Sequence, residues 1–310
     1  MIEVVDFQSI QEQMNQAIAI NVKNTTLQDL LQSFVNSKKR FSFGQLALVH
    51  HHAFGGKDPE ALRLAAAIEL LILSFDMFDD LEDLDNKNEL WMQMDPAIAL
   101  NAATTLYTVS QHTFLTLSSP FQQQILHAVN KYAVQAMEGQ HEDLQNSIST
   151  EEECLEMMKL KSGSLIALAC VSGMLLANAN NPEVENYSYQ IGIAAQADND
   201  LRDLFNPMKN DRSIQKKSLA ILYLQQGYNK HAHDLLTFFS SGKDILEEFG
   251  DFKYYKQKLL NSGVAQYLNV ISQVAINRAI RMIEGLKINS FQIESLKFHL
   301  IKNKTNHKER

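Results

Sequence analysis

Apolar residues recur at three- and four-residue spacing through nearly the whole chain, and this helical period constrains the fold more than any other feature. Leu27, Leu30, Leu31, Phe34 and Val35 make one such face, and Ile125, Val129, Tyr132, Ala133 and Ala136 make another. The spacing predicts helices over Ala61–Asp85, Leu100–Leu117, Glu151–Asn178, Glu183–Phe205, Ser218–Phe239 and Ala265–Leu286. No run of alternating apolar and polar residues bounded by turn residues is evident, so essentially no sheet is expected. Only 12 Gly and 5 Pro punctuate the 310 residues. Breaks are expected at Phe54-Gly55-Gly56, Asp95-Pro96, Ser118-Ser119-Pro120, Asn178 to Pro182, Asn206-Pro207 and Ser240-Ser241-Gly242. None is long enough for an interdomain linker. Thr150 followed by Glu153 is a capping-box pattern that opens one helix. The expectation is one all-α domain over residues 1–310, with about ten or more helices and a basic tail, residues 302–310, that frays.

Charge and composition narrow the function. Lys and Arg number 28 against 36 Asp and Glu, a net charge of −8, which disfavours general binding of nucleic acid or anionic membrane. The first residues, MIEVVDFQSIQEQ, lack a basic stretch followed by an apolar core, so no secretory signal is expected. The longest apolar run, Leu165 to Ala177, is interrupted by Ser172 and Gly173 and is too short for a membrane span. Cys154 and Cys170 cannot form a disulfide framework, which fits a reducing cytoplasm.

The informative segments are two polar stripes. Asp76, Asp79, Asp80 and Asp83 stand at i, i+3, i+4 and i+7, so on a helix their carboxylates share one face. Like charges so placed cost roughly 0.2–0.5 kcal/mol per pair even in water. The stripe follows the apolar run Leu70 to Phe75, broken only by Ser74, and so belongs at the mouth of a buried groove where carboxylates need cations. Gln196, Asn199, Asp200 and Asp203 repeat the spacing on a second helix. Two such helices facing one another would hold Mg²⁺ ions, and a cluster of these binds an anion rich in oxygen, most naturally a diphosphate. Lys161, the Lys38-Lys39-Arg40 cluster, and Lys216 and Lys217 are the basic residues available for that anion.

Other residues read as structural. Three consecutive histidines, His50 to His52, point in different directions on a helix. Neither cysteine has a histidine within two helical turns, so no nucleophilic pair is traceable. Gly55-Gly56 makes a turn, Met157 and Met158 pack in the core, and Trp91, the only tryptophan, reads as a packing residue.

In order along the chain, these motifs resemble the trans-prenyl diphosphate synthases. Asp79-Asp80-Leu81-Glu82-Asp83 is similar to the first aspartate-rich motif of that family, and Gln196 through Asp203 to the second. Gln140 and Asp143 resemble its mid-chain Gln/Asp segment, and Lys161-Ser162 its Lys-Thr pair. Asp211 through Leu219, with Lys216 and Ser218 in register, resembles the stretch that follows the second motif. Several positions depart. Asn199 replaces the first aspartate of the second motif, and Asn88 and Glu89 stand where the family has paired arginines. Ser42 and Phe43 stand where an early basic motif has its second Arg and its Pro. The end that would hold the allylic diphosphate and metal is mostly retained, and the end for isopentenyl diphosphate is eroded, which implies another acceptor.

The segments SFDMFDDLEDLDN, LWM, GQHEDL, LKSGSLIALA and GVAQY look most like the branch that modifies a competence-pheromone precursor. The resemblance implies an isoprenoid synthase fold around a central apolar cavity. It implies Mg²⁺-dependent transfer of a geranyl or farnesyl group from its diphosphate to a Trp side chain of a small pre-peptide, through indole C3 with ring closure by the peptide nitrogen. The released diphosphate is a candidate base. Asp79, Asp80, Asp83, Asn199, Asp200 and Asp203 would hold metal. Lys161, Lys216, Lys39 and Arg40 would hold the leaving group, with Gln140 and Gln196 beside it. A bulky residue at the Phe75 position would close the pocket floor and favour a C10 or C15 donor. A homodimer is compatible with the resemblance. The alternatives are a short-chain synthase using isopentenyl diphosphate and a non-catalytic partner subunit of one.

Overall fold

The computed structural model describes residues 7–206, 216–241 and 243–302. Every regular element among the described residues is helical. The first half holds α1 (Phe7–Asn21), α2 (Thr25–Ser37), α3 (Ser42–Ala53), α4 (Ala61–Asp83), a 3₁₀ turn (Leu90–Gln93), α5 (Pro96–Leu115) and α6 (Gln122–Gln145). Then come α7 (Glu151–Met158), a π turn (Lys159–Gly163), α8 (Ser164–Leu176) and α9 (Glu183–Leu204). The remainder is α10 (Leu219–Gln225), α11 (Lys230–Ser241), α12 (Ile245–Phe249), α13 (Phe252–Ser262), α14 (Val264–Glu284), α15 (Ser290–Lys297) and a second π turn (Phe298–Lys302). The residues group into two compact units. Of the described residues, one comprises 7–134, 165–188 and 282–302, and the other 135–164, 189–206, 216–241 and 243–281.

The first unit is organised by α4. From Leu64 to Ser74 this helix is buried at every position, and it packs against α1, α3 and α5. A helix apolar all round belongs inside a core. Small residues make the approach close: Ala65, Ala66 and Ala67 on α4, and Ala99, Ala102 and Ala103 on α5, are all buried. Ser110 on α5 donates to the Ala67 carbonyl at 2.9 Å. The core around them includes Met14, Leu31, Phe34, Phe41, Leu70, Met77 and Trp91.

Two buried titratable groups tie α3 into this unit. The α3 N-cap, Phe41, supplies no side-chain bond, and the Glu69 carboxylate accepts from the Gly44 N–H at 2.5 Å in its place. Gly44 eases that approach, because a Cβ would lie a tight 3.0 Å from the Ala65 carbonyl oxygen and from Glu69 Cγ. Burial pushes the Glu69 carboxyl up to about 8, against the lowering effect of that backbone bond. His50 is wholly buried. Its Nδ1–H donates to the Leu46 carbonyl at 2.7 Å, which leaves Nε2 to accept from the Tyr187 hydroxyl at 2.7 Å. The histidine triplet is structural here, as its geometry implied.

The second unit is built on a core of Cys154, Met157, Met158, Ile193, Ala197, Leu219, Leu235, Tyr255 and Leu268. The Tyr255 hydroxyl donates to the Leu204 carbonyl at 2.9 Å, which anchors the end of α9. The capping box at Thr150 and Glu153 is formed. Both cysteines are buried free thiols, pushed up to about 12 by burial, as core residues should be.

Some expected boundaries shift. The helix expected over Ser218–Phe239 is two helices, α10 and α11. Gly227 takes φ +64 between them, and Asn229 Oδ1 accepts from the Ala232 N–H to open α11. The helix expected to reach Asp85 stops at Asp83, because Leu84 takes a left-handed conformation, φ 56, as its C-cap. The helix expected from Leu100 begins at Pro96, with Asp95 as N-cap. Residues Glu151–Leu176 are long and apolar enough to cross a membrane by length and composition, but 67% of their most apolar window is buried within the protein, as in a core helix. Pro207, Asp211, Gly242 and the tail beyond Lys302 lie outside the described residues.

The histidine gives a pH prediction. Burial lowers His50 to about 4, only partly offset by its Leu46 bond. The folded pKa is below the unfolded value near 6.5. The stabilising contribution is therefore complete above pH 6.5 and is lost as pH falls towards 4, where the unfolded chain alone takes up the proton. Urea unfolding at pH 7.5 and pH 5 should show the wild type losing on the order of 2 kcal/mol more than His50→Gln, which cannot titrate. Equal losses would mean that His50 is not buried neutral.

Candidate active site

In the first unit the acidic stripe does not stay uniform. Asp76 is taken by Lys38, whose Nζ lies 3.0 Å from Oδ2. Asp80, one turn on, is buried and meets two neutral donors: Asn86 Nδ2 reaches Oδ1 at 2.6 Å, and Trp91 Nε1 reaches Oδ2 at 2.8 Å. These donors arrive because the chain reverses immediately after Asp83. Leu84 and Asn86 both take positive φ, and the 3₁₀ turn then carries Trp91 beneath the helix end. Burial, reinforced by Asp76 and Asp79, holds the Asp80 carboxyl up at about 6 despite both hydrogen bonds. Asp79 and Asp83 are half-buried on the same helix end. Lys39 and Arg40 are exposed in the α2–α3 connection. Phe75 is half-buried on α4 and stacks on Tyr107 of α5, with ring centroids 6.3 Å apart.

In the second unit the predicted residues fall into two linked groups. Asp143 Oδ2 accepts from Lys161 Nζ at 2.8 Å and from Lys216 Nζ at 2.9 Å. Burial alone would raise this carboxyl, but the two ammoniums hold it below the usual carboxylate range. Ser162 Oγ donates to Gln196 Oε1 at 2.8 Å, and Gln196 Nε2 donates in turn to Asp200 Oδ1 at 3.0 Å. Burial pushes Asp200 up to about 7, with Asp203 and Asp143 adding to the effect and the Gln196 bond opposing it. Asn199 is exposed and accepts from Arg202 one turn on; Asp203 and Gln140 are half-buried.

Lys161 and Ser162 reach these partners from a π turn, an irregularity that re-aims side chains within a helix. Two glycines make room for it. A Cβ on Gly139 would stand 2.2 Å from the Lys161 amide nitrogen, and one on Gly192 would stand 2.2 Å from Gly163 Cα. The backbones of α6, the π turn and α9 therefore touch, which brings Asp143, Lys161 and Gln196 into one neighbourhood.

The polyprenyl synthetase family pattern matches residues 24–245. The chain belongs to the polyprenyl synthetase family. It is 40% identical over 300 residues to the tryptophan prenyltransferase ComQ of Bacillus subtilis subsp. natto, covering 96% of this chain and 93% of that protein. A short chain isoprenyl diphosphate synthase of Methanothermobacter thermautotrophicus is 24% identical, over 93% of this chain and 94% of its own. A solved geranylgeranyl pyrophosphate synthase superposes with a TM-score of 0.82 at 18% identity, over 96% of this chain and 98% of that one. The fold is the all-α isoprenoid synthase fold.

Among the described residues, no three His, Cys, Asp or Glu side chains converge tightly enough to hold a metal ion by themselves. Mg²⁺ does not require such a cage, since it typically takes one or two carboxylates and completes its shell with water and phosphate oxygens. Hard carboxylate oxygens lifted by burial, with an uncharged clamp on Asp80, fit that ion. Sequence reasoning missed Asn86 and the second role of Trp91, which packs as expected and also bonds a stripe carboxylate. Both lie beyond the helix, where helical spacing carries no information. Gly139 could have been noticed as a glycine inside a helical run.

Gly139 yields a test in which the sign decides. In an open helix, Gly→Ala gains about 1 kcal/mol. Against the Lys161 backbone, Gly139→Ala should instead lose about 1–3 kcal/mol by overpacking. Chemical denaturation measures it, and a stabilised Gly139→Ala would refute the close approach.

Proposed function

We propose that this protein is a tryptophan prenyltransferase. It moves a geranyl or farnesyl group from its diphosphate to a Trp side chain of a small ComX-like pheromone pre-peptide. The observation that carries this reading is the 40% identity to ComQ along 96% of the chain. The motif pattern supports it: the aspartates and lysines suited to an allylic diphosphate are present, while Asn88 and Glu89 replace the arginines suited to a second diphosphate.

Asp79, Asp80 and Asp83 on α4, and Asn199, Asp200 and Asp203 on α9, are the proposed Mg²⁺ ligands. A polyprenyl synthase of Caulobacter crescentus with the same fold, TM-score 0.79 at 13% identity, was solved with calcium and isoprenyl diphosphate, which supports a divalent ion beside a diphosphate. Bound Mg²⁺ supplies Lewis-acid neutralisation of the diphosphate as its C–O bond breaks. Lys161 and Lys216, with Lys39 and Arg40, are proposed to bind the departing diphosphate, and Gln140 and Gln196 to orient it. Asp143 holds both lysine ammoniums together, which places the pair for a shared anion. The C–O electron pair leaves with the diphosphate, and indole C3 supplies the pair for the new C–C bond. The peptide nitrogen then closes onto C2 and loses its proton. No protein nucleophile is needed, which fits two buried thiols raised to about 12.

The reading is tested by incubation with Mg²⁺, geranyl or farnesyl diphosphate, and either isopentenyl diphosphate or a Trp-containing pre-peptide. Mass spectrometry should show the prenylated peptide. Product from isopentenyl diphosphate alone would establish the chain-elongating synthase instead.

Asp79→Ala, Asp80→Ala and Asp83→Ala should each cut turnover by orders of magnitude while circular dichroism stays helical; at Asp79 and Asp83 the loss relieves like-charge repulsion, and at Asp80 it costs about 1–3 kcal/mol by leaving the buried Trp91 N–H without its acceptor. Asn199→Asp should stay active, since an aspartate keeps the acceptor that Arg202 uses and adds a ligand charge. Near-full turnover by Asp79→Ala, or an inactive Asn199→Asp, would overturn the corresponding assignment.

Donor length is proposed to be set at Phe75, with Tyr107 stacked behind it as a second wall. Wild type should prefer a C10 or C15 donor, and Phe75→Ala should accept C20. Competition among the three diphosphates measures this, and an unchanged preference in a folded variant would remove Phe75 from the pocket.

A further inference from the structure

Trp91 is the only tryptophan in the chain and is 1% exposed. Its ring meets Phe34 edge-on, with centroids 5.7 Å apart at 82°, and Lys38 Nζ lies 4.9 Å above its centre. Packing accounts for those contacts but not for where the indole N–H goes. A buried tryptophan needs an acceptor, and this one takes the carboxylate of Asp80, in the middle of the acidic stripe, at 2.8 Å.

The chemistry of that pairing is specific. Asn86 and Trp91 approach opposite oxygens of Asp80, and both donors are neutral. Each carboxylate oxygen has two acceptor sites, so the pair uses one on each and leaves one on each for a cation. An arginine or lysine there would compete with a metal for the carboxylate charge. Lys38, which acts on Asp80 only through space, pairs with Asp76 at 3.0 Å and lies over the Trp91 ring. Asp80 is thus oriented at both oxygens without being neutralised. The turn that delivers the clamp is itself held, with Asn86 at φ 46 and its carbonyl accepting from the Glu89 N–H at 2.8 Å.

We infer that Trp91, with Asn86, is a positioning residue that fixes Asp80 as a divalent-cation ligand, so that the single tryptophan senses occupancy of that site. The inference rests on the proposed metal role of the first stripe and adds to it the residues that set the geometry and a signal that reports binding. Donors that hold a metal-ligating group in place typically contribute 10–100-fold to affinity or activity.

The test has two arms, both on the full chain. Tryptophan emission is recorded while Mg²⁺ is titrated with inorganic diphosphate present. It should shift saturably, with the same midpoint as Mg²⁺-diphosphate binding measured by calorimetry. In the second arm, calorimetry and turnover are measured for Trp91→Phe, which keeps an aromatic ring and loses the N–H, and for Asn86→Ala, which leaves Trp91 intact. Each should need about ten-fold more Mg²⁺ for half-saturation, with kcat largely restored at saturating Mg²⁺. A purely packing role would lower Tm and leave the Mg²⁺ midpoint unmoved, and that result in both folded variants would overturn the inference. So would an emission spectrum that ignores Mg²⁺-diphosphate while calorimetry detects its binding. If Asp79→Ala and Asp83→Ala also bind Mg²⁺-diphosphate as wild type does, the metal role of the stripe fails instead, and the two failures are distinguishable.

Discussion

Desolvation of carboxylates at the ends of apolar helices is the constraint on which the rest of this structure depends. Asp80 lies near the end of a helix buried at every position from Leu64 to Ser74, and Asp200 lies near the end of α9 after the buried run Ile191 to Ala194. Burial is the largest influence on both groups, raising one to about 6 and the other to about 7. A carboxylate in that position is unfavourable unless hydrogen bonds or cations compensate for the lost water. The protein supplies hydrogen bonds to each, and among the described residues no ammonium or guanidinium bonds Asp80 directly. The two units solve the same electrostatic problem with different residues: Asn86 and Trp91 for Asp80, Gln196 for Asp200.

Backbone contact is what makes the second solution possible. Lys161 and Lys216 share one oxygen of Asp143, an arrangement in which two like charges are tolerated because a single half-buried anion lies between them. Lys161 can get there because the π turn touches α6 at Gly139 and α9 at Gly192, at distances that no side-chain carbon could occupy. Glycine in a helix interior is locally unfavourable. Here it is retained because the alternative would push the lysine-bearing segment away from both neighbours. Gly44 eases a close approach in the first unit, letting Glu69 cap a helix that has no cap of its own.

The legible part of this molecule was whatever helical periodicity encodes. The all-α class, the stripes, the capping box at Thr150 and the burial of Met157, Met158 and both cysteines could be read from spacing and composition, because each depends on neighbours three or four residues apart. The break at Gly227 interrupts a stretch that is apolar on both sides of it, and only Gly227 and the capping Asn229 carry its local signal. Trp91 was legible as a packing residue but not as a partner of Asp80, since that contact depends on a turn whose left-handed Leu84 and Asn86 lie outside any periodic pattern. Asp143 as a shared acceptor was out of reach for the same reason: its lysines are 18 and 73 residues away in sequence.

The segment after the first stripe also bears on what the protein can accept. A second diphosphate substrate would need cations to balance it, and the positions where the resembled synthases carry paired arginines hold Asn88 and Glu89. Glu89 is close enough to act electrostatically on Lys38, which pairs with Asp76 of α4. The same ten residues that lost the guanidinium pair provide two neutral donors to Asp80 instead. An uncharged indole requires no cation for binding. Orienting a proposed metal carboxylate with neutral groups while removing positive charge beside it is consistent with one demand: ionising a single diphosphate in a site that does not welcome a second.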